Sequence, residues 1–267
     1  MGPIFCGVDI GASATKVVLL SGQGEIIGQS IKKTGVDLLS KAEQCLSEAL
    51  MQANVKRGDL ARIVGTGFGR NEVTFADDES TEIRCHGLGA YHYYPRKITV
   101  VDIGGEDNKV IRLDDKGGRL SFKMNRKCAA GTGAFIEETA GRMDVSLKDL
   151  DSLARKADKP VKLSSFCTVF AKTELLRRTR EGATLPNLVR GVLDSVVTRI
   201  TEMGRFDGEV VMTGGVAAHV PVVADLLSER IGYPVNIPPN PQLIGALGAA
   251  LVAGLDYRKG KESGNAY

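Results

Sequence analysis

An eight-residue pattern occurs twice in the chain and limits its fold more than any other feature. Residues 9–16 read DIGASATK and residues 102–109 read DIGGEDNK, both of the form D-I-G-x-x-x-x-K. An apolar run precedes each copy, Ile4 to Val8 and Ile98 to Val101, and another follows, Val17 to Leu20 and Val110 to Leu113. Each copy predicts a β-hairpin: a buried strand, a turn of glycine and small polar residues, then a second strand. Two copies predict two similar lobes, each presenting an aspartate and a glycine-rich turn.

Helical periodicity covers residues 38–54, 133–143, 146–157, 185–204 and 219–231, and a small-residue helix runs from about Gly245 to Ala253. Short strands are expected at 208–213 and near Val235 to Ile237. Alternation of this kind predicts α/β layers. The first lobe is expected over 1–94 and the second over 95–244, with the final helix near 245–257 packing back on the first. The polar stretch 258–267 is expected to be a disordered tail.

A length of 267 residues suffices for one large or two modest domains. With a net charge of +3 the chain lacks the concentrated basic character of a nucleic-acid binder, and 5% aromatics without tryptophan leave little for base stacking. No secretory leader pattern opens the chain, and no run reaches the ~20 apolar residues that span a bilayer. A cytoplasmic protein with neither membrane nor nucleic-acid partner is therefore expected.

Three glycine-rich turns each follow a strand. They are Gly11, Ala12, Ser13, Ala14 and Thr15; Gly104, Gly105, Glu106 and Asp107; and Thr213, Gly214, Gly215 and Val216. Turns with few Cβ atoms let backbone N–H groups approach phosphate oxygens. Ser13 and Thr15 add hydroxyl donors and Lys16 adds charge. Asp9 and Asp102, one per hairpin, are candidates to hold Mg²⁺ through water or to orient the attacking water. A phosphate-bearing ligand with Mg²⁺ is the expected occupant.

The order of these turns resembles the superfamily of acetate kinase, sugar kinases, heat-shock-70 and actin. That resemblance implies two actin/ribonuclease-H-like lobes with an ATP cleft between them. DIGASATK would be its first phosphate hairpin, DIGGEDNK its second, and MTGGVAAH (212–219) its adenosine turn.

Five cysteines, an odd number, argue against a disulfide framework. Cys6 and Cys45 sit in apolar patterns and are expected in the core. Cys128, in KCAAGTGAF, and Cys167, in SSFCTVFAKTE, each stand at a helix start, where backbone N–H groups and the helix dipole stabilise a thiolate. Two thiolates cannot complete a cubane, which takes four; a twofold dimer would supply them. Four thiolates suit tetrahedral zinc equally well, so these residues leave both metals open.

Six motifs in order narrow the resemblance: DIGASATK, TGFGRN (66–71), CHGLGA (85–90), DIGGEDNK, KCAAGTG and SSFCTVFAKTE, followed by GGVA and GALGAAL. Together they resemble the ATPase family of the 2-hydroxyacyl-CoA dehydratase activators and the ATP-binding subunits of benzoyl-CoA reductase. The resemblance implies a homodimer holding one [4Fe–4S] cluster through Cys128 and Cys167 of each subunit. It implies electron delivery, driven by ATP hydrolysis, to an iron–sulfur dehydratase or reductase, with ferredoxin or flavodoxin as donor. The helix entered through Gly131, Thr132 and Gly133 would be the moving element. Asp107 is assigned to the phosphates on resemblance alone.

Glu106 departs from the family pattern, which carries glutamine there. Beside phosphates an extra carboxylate is repelled unless it faces Mg²⁺ or a basic group; with Asp9 and Asp102 it completes the candidate catalytic set. His86 is expected in a capping or core role on a helix. The basic run Lys123, Arg126 and Lys127 is expected to be a solvated face or a docking site for an acidic electron donor. Competing functions are a permanent subunit of a benzoyl-CoA reductase-type complex, a small-molecule kinase of the same fold, and a zinc-stabilised binding module.

Overall fold

The computed structural model describes residues 2–125, 128–163 and 167–264. Arg126 and Lys127 of the basic run, Ser164, Ser165 and Phe166 of the second cysteine motif, and the tail residues 265–267 lie outside the described residues. The chain divides into two units, one containing the chain up to Pro95 and from Leu243 onward, the other running from Arg96 to Gln242.

The first unit is built on β1 (Ile4–Ile10), β2 (Ala14–Ser21), β3 (Ile26–Lys33), β4 (Leu60–Thr66) and β5 (Asp78–Glu79). The sheet order is β3-β2-β1-β4-β5. β1 to β3 form an antiparallel meander, while β4 and β5 run parallel to β1. Every residue of β1 is buried, as a central strand covered on both faces requires.

One cover is α1 (Leu38–Ala53), which buries Ala42, Cys45, Leu46 and Ala49 on one stripe. The Asp37 carboxylate caps its start by accepting from the Ser40 amide, and Asn54 ends it in the left-handed conformation. The other cover pairs α2 (Glu82–Tyr93) with a C-terminal helix, Ile244–Gly264. These two approach so closely that a Cβ at Gly89 would overlap the Ile244 carbonyl, and one at Gly248 the Cys85 carbonyl. That approach accounts for the small residues of GALGAAL.

The second unit repeats this plan with β6 (Ile98–Ile103), β7 (Asn108–Leu113), β8 (Arg119–Asn125), β9 (Glu209–Thr213) and β10 (Val235–Asn236). Its order is β10-β9-β6-β7-β8, again an antiparallel meander joined to two parallel strands. Its helices are α3 (Gly133–Arg142), α4 (Leu150–Arg155), α5 (Thr168–Arg180), α6 (Leu185–Glu202), α7 (Gly214–His219) and α8 (Val222–Ile231); the C-terminal helix is α9. α6 supplies the longest buried stripe, from Leu188 to Ile200.

Two expectations are corrected. The segment Thr213 to Val216 is not an open turn: Thr213 ends β9 and caps α7, with Gly214 and Val216 buried. The expected disordered tail is helical as far as Gly264, as a continuation of α9. Tyr257 also packs edge-on against Phe5, and Asp256 pairs with Arg84. Among the described residues no helix is long and apolar enough to cross a membrane.

Candidate functional site

Both D-I-G-x-x-x-x-K segments fold as hairpins of identical register. Asp9 lies opposite Lys16 and Ile10 opposite Thr15; Asp102 lies opposite Lys109 and Ile103 opposite Asn108. The turns close alike, Gly11 N–H donating to Ala14 O at 3.0 Å and Gly104 N–H to Asp107 O at 2.9 Å. A seven-residue interval across a four-residue turn places the aspartate and lysine side chains on one face of neighbouring strands.

The buried aspartates, 3% and 2% exposed, therefore each meet an ammonium. Lys16 Nζ donates to Asp9 Oδ2 at 3.0 Å. Lys109 Nζ reaches Asp102 Oδ2 at 3.1 Å and Asp107 Oδ1 at 2.8 Å. Asp102 Oδ1 accepts from Thr213 Oγ1 at 2.9 Å, so both oxygens of that carboxylate are engaged. Pairing is what makes burial of these charges tolerable.

The repeat extends beyond the hairpins. Thr66 on β4 is the parallel partner of Asp9, as Thr213 on β9 is of Asp102. Each threonine precedes a glycine at positive φ, +92° for Gly67 and +94° for Gly214. A Cβ at Gly67 would overlap the Ile10 carbonyl and crowd Asp9; one at Gly214 would overlap the Ile103 carbonyl and crowd Asp102. Sequence reasoning missed Thr66 and Gly67 as a counterpart of Thr213 and Gly214. The signal was present in IVGTG and VVMTG, two apolar runs ending in Thr-Gly.

The first turn exposes Ala12 and Ser13. Thr15, expected to offer its hydroxyl, is instead fully buried and shares a 3.0 Å hydrogen bond with Thr34, whose hydroxyl donates to Gly11 O. Glu106 is exposed at the tip of the second turn, beside half-buried Gly104, Gly105 and Asp107. His86 lies on α2 with its Nε2 and the Asp9 carboxylate both facing the Cα of Gly245.

Cys128 and Cys167 are exposed, whereas Cys6, Cys45 and Cys85 are buried. Burial pushes the Cys85 thiol up to about 11 and that of Cys6 higher still, leaving both inert as core residues. Cys167 caps α5, and exposed Val169 and Phe170 follow it. The Ala130 amide points at Cys128 Sγ at 3.4 Å. Among the described residues no three His, Cys, Asp or Glu gather to hold a metal.

The segment after Cys128 is tied to the second glycine-rich turn. Gly133 N–H donates to Gly104 O at 2.9 Å and Ala134 N–H to Gly105 O at 2.7 Å. Thr132, buried, returns its hydroxyl to Ala129 O at 2.7 Å, and Gly131 stands at φ +82°. The unfilled first-turn amides of α3 thus take their acceptors from the hairpin.

Two sheets of like topology, each with an Asp–Lys hairpin, define the fold class of the actin-like ATPases and sugar kinases. A ROK family glucokinase from Streptomyces griseus superposes with a TM-score of 0.58 over 94% of this chain and 99% of its own; at 12% identity it shows the fold alone. The model of the BadF/BadG/BcrA/BcrD ATPase family matches residues 6–253, and the chain belongs to that family. The activator of lactoyl-CoA dehydratase from Anaerotignum propionicum is 39% identical over 250 residues, 92% of this chain and 96% of its own. The crystal structure of (R)-2-hydroxyglutaryl-CoA dehydratase component A from Acidaminococcus fermentans matches with a TM-score of 0.92 at 37% identity, covering 96% of this chain and all of the other. The activator of 2-hydroxyisocaproyl-CoA dehydratase from Clostridium difficile, with bound ADPNP, matches with a TM-score of 0.90 at 34% identity, covering 97% of each chain.

Proposed function

We propose that the chain is an ATP-hydrolysing activator that delivers electrons to a 2-hydroxyacyl-CoA dehydratase. It works as a homodimer, with one [4Fe–4S] cluster held by Cys128 and Cys167 of each subunit and a ferredoxin or flavodoxin as donor. The observation that carries this reading is the direct bonding of the Cys128 segment to a glycine-rich hairpin turn through Gly104 and Gly105. Similarity to dehydratase activators supports the choice of acceptor.

The residues fit a shared thiolate site. The two exposed thiols of one chain are half a set of four, and the Ala130 amide is a donor suited to an anionic sulfur at Cys128. The cluster supplies a low-potential one-electron centre.

The chain's own residues supply the rest. The turns at Gly11–Ala14 and Gly104–Asp107 address phosphate oxygens of ATP, and Lys16 adds its charge. Asp9 uses Oδ2 for Lys16, and its other oxygen is assigned to Mg²⁺-bound or attacking water. Asp102, engaged by Thr213 and Lys109, fixes the ends of β6, β7 and β9. Glu106 is assigned to the Mg²⁺ side of the phosphates, and Gly214, Gly215 and Val216 to the adenosine.

Anaerobic purification tests the reading, with about four iron and four sulfide expected per dimer. Cys128→Ser or Cys167→Ser removes the brown colour, and Cys6→Ser or Cys45→Ser retains it. Colour surviving Cys167→Ser overturns the cluster assignment.

A further inference from the structure

Asn108 opens β7 immediately after the second glycine-rich turn and is 1% exposed. Its Nδ2 donates to the carbonyl of Gly131 at 2.8 Å, while its buried Oδ1 accepts no hydrogen bond from the described residues. This third tie joins the two main-chain bonds from Gly104 and Gly105 to Gly133 and Ala134. One hairpin therefore holds the entry to α3 at three places, Gly131, Gly133 and Ala134.

The three ties differ in what can disturb them. The carbonyls of Gly104 and Gly105 belong to the peptides of the turn itself, so any rotation of those peptides carries the α3 amides with it. Asn108 reaches further back, to Gly131, three residues from Cys128. From there the path to the thiol is short and closed. Thr132 N–H and its hydroxyl both bond Ala129 O, and Asn125 Nδ2 donates to Cys128 O at 3.0 Å. Gly131 is buried at φ +82°, and a Cβ there would lie 3.0 Å from Cβ of Arg199 on α6. The segment is thus fixed from behind as well as from the hairpin.

A buried amide oxygen without a donor is costly. Asn108 holds Gly131 while its Oδ1 has no donor among the described residues, so any arrangement that supplies Oδ1 with a donor gains relative to the one observed. A two-state element of this kind can be biased by a ligand that distinguishes the states.

We infer that Asn108 is a positioning residue that carries the state of the Gly104–Asp107 turn to Cys128 by holding or releasing Gly131. The inference rests on the reading of Cys128 as a cluster ligand coupled to ATP. It goes beyond that reading in naming the side chain through which the coupling passes.

The first test needs no cluster. Reduced, iron-free protein is treated with a maleimide in the presence of MgADP or Mg-ADPNP, and labelling of Cys128 is followed by peptide mass spectrometry. Wild-type rates are expected to differ about threefold or more between the nucleotides, a modest coupling between two sites. In Asn108→Ala and Asn108→Leu, which lack the donor, the difference disappears while kcat and KM for ATP stay within about twofold.

In the cluster-loaded dimer, the same variants are expected to deliver about tenfold fewer electrons to the dehydratase per ATP hydrolysed. Variants that only loosen the fold would melt earlier and keep the wild-type ratio, which overturns the inference. Wild-type Cys128 labelling that ignores the nucleotide overturns it without any variant. Wild-type protein that shows nucleotide-dependent labelling but binds no iron leaves Asn108 its role and removes the cluster reading.

Discussion

Lys109 stands opposite Asp102 as Lys16 stands opposite Asp9, but the two ammonium groups are not equivalent. Lys109 bridges two carboxylates with its side chain 4% exposed, whereas Lys16 pairs with Asp9 and is 13% exposed. The copy in the second unit is a fixed strut. The copy in the first lies over Gly11, with its Nζ 3.0 Å from where a Cβ would stand.

Stability should therefore respond unequally. Lys109→Met leaves two carboxylates without their shared ammonium and is expected to cost about 3–5 kcal/mol. Lys16→Met strands one buried carboxylate rather than two and should cost less, while weakening ATP binding more. Urea unfolding and ATP titration of both variants check the order. Equal stability losses would mean that the two hairpins do the same work.

Asp9→Asn is expected to lower ATP hydrolysis by ~10²-fold or more, as removal of a metal- or water-orienting group does. Asp102→Asn should lower hydrolysis less and the melting temperature more, because Thr213 and Lys109 both lose charge-assisted partners. Wild-type turnover in either variant would make its hairpin purely structural.

The paired glycines offer a test of the extended repeat. Gly67→Ala and Gly214→Ala each force a left-handed φ on a residue with a Cβ and drive that Cβ into a carbonyl. Each should cost about 2–4 kcal/mol from conformation and overpacking together. Substitution of exposed Gly58, with open space around it, serves as the control.

The hairpins were legible because a short turn fixes register, so Asp and Lys seven residues apart must face each other. The Thr-Gly pairs were not, since Gly67 leads into a 3-10 turn and Gly214 into α7, and their surroundings share little else. α2 carries Gly87 and Gly89, poor helix formers, and periodicity alone did not fix its extent; Gly89 permits the close approach of α9. The end of α9 looked like a tail because its polar residues hide the anchor at Tyr257 on Phe5. Thr15 looked like a phosphate donor because sequence does not show which face of β2 it occupies.

Thiol reactivity should separate the cysteines sharply. With its thiol raised to about 11, Cys85 is only about one part in a thousand thiolate at pH 8. Burial raises Cys6 and Cys45 in the same direction. All three stay protonated and unreactive below the raised values, and only pH above them or unfolding exposes them. In iron-free native protein at pH 8, maleimide should label Cys128 and Cys167 alone. Labelling of Cys85 at a comparable rate would contradict the packing of α2 on α9.

Glu106→Gln removes the extra carboxylate from the second turn. With Glu106 on the Mg²⁺ side, kcat should fall about three- to tenfold with KM for ATP little changed, because an assisting carboxylate has gone. A lower KM with unchanged kcat would instead set Glu106 against the phosphates, where its charge repels.

Coupling is the centre of the account, and one assay addresses it directly. The anaerobically reduced dimer is mixed with its dehydratase and with ATP, ADP or ADPNP, and phosphate release and dehydratase reduction are followed in the same sample. The account predicts reduction only with ATP, in a fixed ratio to phosphate released. Equal reduction with ADP or without nucleotide would leave an ordinary electron carrier whose ATPase activity serves something else.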